Sequence, residues 1–171
     1  LRMKKYHPAY FGVYLALALI LSYVESLIPF YFGIPGVKLG LTNLVIVLVL
    51  YQLGFGPAMV LSCARVFLAG FLFGNLYSIL YSLAGGVLSL LVMALVKKTG
   101  KLSIAGVSIC GGIFHNVGQI LVAMVVVENM SIAYYMPVLL ISGVITGCLI
   151  GIAAGEVKRR LPGMNAGRQE D

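Results

Sequence analysis

Apolar runs of about 20 residues recur along this chain, separated only by short segments rich in glycine, proline or lysine. Backbone in hydrocarbon must satisfy its own hydrogen bonds, which leaves helices and closed barrels as spanning structures. Runs of this length are helical. They cover about 9–30, 39–55, 58–73, 76–96, 104–127 and 132–154, and predict an all-α, polytopic bundle of six transmembrane helices. Charged residues make up 10% of the 171-residue chain, against about 25% in a soluble domain. That excludes a water-soluble enzyme. The runs also continue far beyond the first 30 residues, so a signal peptide followed by a soluble domain is excluded too. The expectation is one integral membrane domain over 1–171.

Orientation follows from the basic residues. Arg2, Lys4 and Lys5 precede the first run; Lys97, Lys98 and Lys101 lie between the fourth and fifth; Lys158, Arg159, Arg160 and Arg168 follow the sixth. These are ten of the twelve Lys and Arg, and six spans place all three clusters on one side. The positive-inside rule makes that side the cytoplasm, giving an N-in, C-in topology. The net charge of +7 is then a topology signal, with no support for nucleic-acid binding beyond the charge itself. Cys63, Cys110 and Cys148 sit singly inside apolar runs without ligand spacing, so no metal site or disulfide framework is predicted.

Ionisable and amide groups at membrane depth are costly unless they face protein or water, which makes each a candidate. Arg65 lies near the middle of the third run, too deep to snorkel, and either contacts a ligand or clamps a neighbouring helix. His115, Asn116 and Gln119 form one polar stripe of the fifth helix by i,i+3 and i,i+4 spacing. Lys38 and Asn43 open the second run, and Asn75, Tyr77 and Tyr81 open the fourth. Topology puts Asn43, Asn75, Tyr81, Asn116 and Gln119 in the outer half of the bilayer, with Arg65 and His115 near its middle. The inner halves carry almost no polar side chain larger than Ser or Thr. This pattern predicts a polar cavity open to the outside. On the first helix, Gly12 and Ala16, and Ala18 and Ser22, form small-xxx-small faces suited to close helix approach, within the chain or onto a partner.

The segments Pro35-Gly36-Val37-Lys38-Leu39-Gly40-Leu41-Thr42-Asn43, Ser82-Leu83-Ala84-Gly85-Gly86 and His115-Asn116-Val117-Gly118-Gln119 resemble the Gx transporter family, often labelled heptaprenyl diphosphate synthase component I. The resemblance extends over about residues 9–155. More broadly, the six short spans and small-residue first helix are similar to S-components of energy-coupling factor (ECF) vitamin importers. The resemblance implies an S-component-like bundle in the bacterial cytoplasmic membrane, with a substrate pocket near the outer face and a lid over about 31–37. It also implies docking of Gly12, Ala16, Ala18 and Ser22 on an ECF transmembrane coupling protein driven by two ATPase subunits.

Prenyl chain elongation needs aspartate clusters that hold magnesium on diphosphate, and this chain has one Asp, Asp171. It also lacks a GxxxxGK[ST] phosphate loop. The expectation is therefore a non-enzyme without a cofactor: a subunit that captures a small vitamin-, cofactor- or quinone-precursor-like molecule. The alternative is a non-catalytic accessory of a prenyl diphosphate or quinone pathway. Expected partners are the substrate, membrane lipid and the ECF module. With cations Lys38 and Arg65, no carboxylate equally deep (Glu25 lies near the outer end of the first run), and an aromatic wall from Tyr77 and Tyr81, the expected ligand is flat, partly apolar and acidic.

Overall fold

The computed structural model describes residues 8–27 and 40–160. Six α-helices follow one another: α1 (Pro8–Leu27), α2 (Leu41–Gln52), α3 (Phe55–Phe73), α4 (Leu76–Thr99), α5 (Ile104–Val127) and α6 (Met136–Arg160), with a 3-10 turn at Met130–Tyr135. No strand occurs among the described residues. All but α2 are long and apolar enough to cross a membrane, so the chain is a multi-pass membrane protein.

The second helix departs from expectation. Its 12 residues rise only about 18 Å, well short of the roughly 30 Å hydrocarbon core. Val45 through Leu50 are all buried. A short helix that is apolar on every side belongs inside a bundle. Accordingly α2 packs against α1, α3 and α6, and joins Leu61, Leu90, Met93, Val107 and Ile150 in one core. Gly40 and Gly54, at φ 71° and 95°, bound it with backbone that a side chain would strain. At the other junction α3 takes in residues 55–57, ahead of the expected start at about 58. α3 begins at Phe55, since proline in the first turn sacrifices no intrahelical hydrogen bond.

The remaining ends are set by local capping. Asn75 Oδ1 accepts the Ser78 N–H at 2.8 Å, and the Asn75 N–H donates to Ser78 Oγ at 3.0 Å, a reciprocal box that starts α4. Gly100 closes that helix in the left-handed region, and Ser103 caps α5. Asn129 holds the turn before α6 through the Ser131 N–H.

Small residues bring α4, α5 and α6 together. Gly143, Gly147 and Gly151 form a stripe on α6 against the α5 backbone: a Cβ at Gly147 would lie 2.7 Å from Ile109 Cα. On α5, a Cβ at Gly118 would lie 2.9 Å from Gly85 Cα of α4. Gly147→Val should thus force α5 and α6 apart and cost about 1–3 kcal/mol, read as an earlier midpoint in detergent unfolding.

These contacts position two ends. At one, α1 finishes, α2 starts, α3 finishes and α4 starts. At the other, Lys97 Nζ donates to Leu50 O at 2.6 Å, and Lys97 and Lys158 stand 4.7 and 4.9 Å from the centre of the Tyr51 ring. The fourth-to-fifth and C-terminal basic clusters therefore share one end of the bundle.

Candidate functional site

The end opposite the basic residues holds a cavity of about 420 Å³. It exists because α2 is short: its N-terminus stops below the ends of the longer helices. Ser22, Glu25 and Ser26 come from α1, Arg65 and Phe73 from α3, Ser78 and Ser82 from α4, and His115 and Gln119 from α5. Gly40, Thr42 and Asn43 form its floor at the start of α2, and Asn75 adds its side chain at the rim.

Its walls are fixed by specific contacts. Ser22 Oγ and Thr42 Oγ1, both buried, lie 2.9 Å apart and join α1 to α2. The Gly40 N–H donates to Glu25 Oε1, which places a carboxylate at the positive end of α2. On α4, Gly85 admits the α5 stripe: a Cβ there would meet His115 O at 2.7 Å and Gln119 Cγ at 2.9 Å. Arg65 lines the same space as Glu25, and its Nε is buried with no hydrogen-bond partner among the described residues. No ion pair joins the two.

Of the residues expected from sequence, Asn43, Arg65, Asn75, His115 and Gln119 converge on this space. Lys38 and the expected lid over 31–37 lie outside the described residues. Asn116 points aside. Its Nδ2 donates to Leu139 O at 2.6 Å, tying α5 to α6, and it borders a water-sized crevice of about 20 Å³ next to the cavity. Asn116→Ala should then lower stability by about 1 kcal/mol, as for one neutral hydrogen bond, and change ligand affinity little. Thermal unfolding with and without ligand separates the two effects.

Tyr81 does not line the cavity, and Tyr77 is 58% exposed. The two tyrosines share one face of α4, and the adjacent face, carrying Ser78 and Ser82, turns inward because Ile79 packs on Gly70 of α3 and Gly85 lies against His115 and Gln119 of α5. The expected aromatic wall is replaced by Phe73 of α3, whose ring centre lies 5.1 Å from that of Tyr23. The docking residues divide as well. Ala18 and Ser22 are buried and face the interior, whereas Gly12 and Ala16 are exposed.

Sequence reasoning missed Glu25, set aside as lying near the end of its span. The signal was present: it is the first acid in the chain, and none follows before Glu128. An ionisable residue within a spanning run is a candidate by the same rule that marks Arg65.

The sequence profile of one family matches residues 14–157, which is most of the chain. The chain belongs to the heptaprenyl diphosphate synthase component I family. No curated protein and no solved structure matches it. Membership accords with a membrane component rather than a soluble catalyst, and Arg65, His115 and Gln119 all lie within the matched region.

Proposed function

We propose that this member of the component I family is a non-catalytic, substrate-capturing membrane subunit, working like an S-component with an energised coupling protein and two ATPases. The observation that carries the reading is the cavity: a polar, charged space of about 420 Å³ in an otherwise apolar bundle, lined by the Arg65 side chain, whose Nε is buried. Its volume falls in the usual range of small-molecule sites, about 300–1,000 Å³. Ten of twelve basic residues belong to the three clusters assigned to the cytoplasm, so the cavity opens outward in this reading. In the bacterial membrane the ligand enters from outside and is held by Arg65, Asn43, His115 and Gln119, with Lys38 close by in sequence. It is released when the bundle reorients against its partner.

The test is capture without energy. The purified full chain should retain a small molecule detectable by mass spectrometry and bind it without ATP. In liposomes the isolated chain should not accumulate that molecule; uptake should require the coupling protein and ATPases. Accumulation by the chain alone would make it a secondary carrier. Retention of a prenyl diphosphate would favour the accessory role that the family's name suggests.

A further inference from the structure

Glu25 and Arg65 face the same cavity from α1 and α3, yet no ion pair joins them. The two opposite charges face one cavity without direct contact, so neither neutralises the other. Arg65 Nε has no hydrogen-bond partner among the described residues. Glu25 gives one oxygen to the Gly40 N–H, and no other partner contacts its carboxylate among the described residues. Around this dipole the wall carries hydroxyl and amide groups, including Ser78, Ser82 and Gln119, together with the His115 imidazole and the Phe73 ring.

We propose that the ligand is a small zwitterion, its anionic group on Arg65 and its cationic group toward Glu25. This deepens the substrate-capturing reading and rests on it. A molecule bearing one charge satisfies one pole and leaves the other desolvated beneath it, a penalty that discriminates against it. A zwitterion of matching span satisfies both. The inference replaces the flat, partly apolar acid expected from sequence, because that expectation assumed no carboxylate beside Arg65 and an aromatic wall that the tyrosines do not form.

The experiment is a thermal-shift panel on the full chain in detergent. It uses small amino acids such as 4-aminobutyrate, the carboxylate-only analogue butyrate, the amine-only butylamine and the uncharged 1,4-butanediol. The zwitterions should give the largest shifts. Glu25→Gln keeps an oxygen for the Gly40 N–H and so keeps the fold, but it should weaken zwitterion binding about tenfold or more, as for a lost charge-assisted contact. Equal or better stabilisation by the carboxylate-only probes, unchanged or improved in Glu25→Gln, would overturn the proposal and leave Glu25 as a cap on α2. Best stabilisation by the amine or the diol would overturn it as well. If no probe class shifts unfolding, the zwitterion falls; the substrate-capturing reading falls with it only if the purified chain also retains no small molecule.

Discussion

Arg65→Ala should weaken binding of the retained ligand about 30-fold or more while leaving a folded, monodisperse protein. Losing a desolvated charge-assisted contact costs about 2 kcal/mol or more, which converts to that factor. The protein should tolerate the truncation because, among the described residues, Arg65 Nε forms no hydrogen bond and Arg65 joins no ion pair, so no hydrogen bond or ion pair to them is cut. Arg65→Lys keeps the charge and removes the planar fork, so it should recover only part of the affinity. Calorimetric titration of the ligand into each variant reads these differences directly. A variant that loses stability but binds ligand unchanged would identify Arg65 as a clamp between helices instead.

Much of this fold is legible in the sequence because one physical term dominates. Hydrocarbon demands long apolar helices, and their existence follows from run length alone, within a few residues at each end. What run length cannot convey is which run goes inside. The second run reads like its neighbours, but Gly40 and Gly54 confine its helix to 12 residues, and the resulting buried α2 creates the cavity above it. The polar residues were readable one by one through the cost of placing them in lipid, which is why Arg65, His115 and Gln119 converge. Helical facing was not. Ser78 and Tyr77 are adjacent in sequence, and it is the packing of Ile79 on Gly70 and of Gly85 on α5 that turns serine rather than tyrosine inward. Glu25 escaped for a different reason: position near a helix end was weighed above charge, although the Gly40 N–H contact gives that position its purpose.

The same facing argument governs the proposed docking on a coupling partner, where the largest effect on the proposed transport is expected. Gly12→Leu and Ala16→Leu should each reduce uptake to background in cells that coexpress the coupling protein and ATPases, while ligand binding by the purified chain stays intact. Both residues are exposed on α1, and a Cβ at Gly12 would meet nothing within 4 Å, so the larger side chain fits the isolated bundle without strain. Surface changes of this kind usually alter stability by less than about 0.5 kcal/mol. A partner helix packed on that face would be held off by the added side chain, since close approach depends on small residues. Ala18→Leu provides the contrast. Ala18 is fully buried in the core that contains α2, so leucine there overpacks the interior and should cost about 1–3 kcal/mol of stability, with binding and uptake lost together. Normal uptake by Gly12→Leu and Ala16→Leu would show that this face meets lipid alone and would remove α1 as the docking helix.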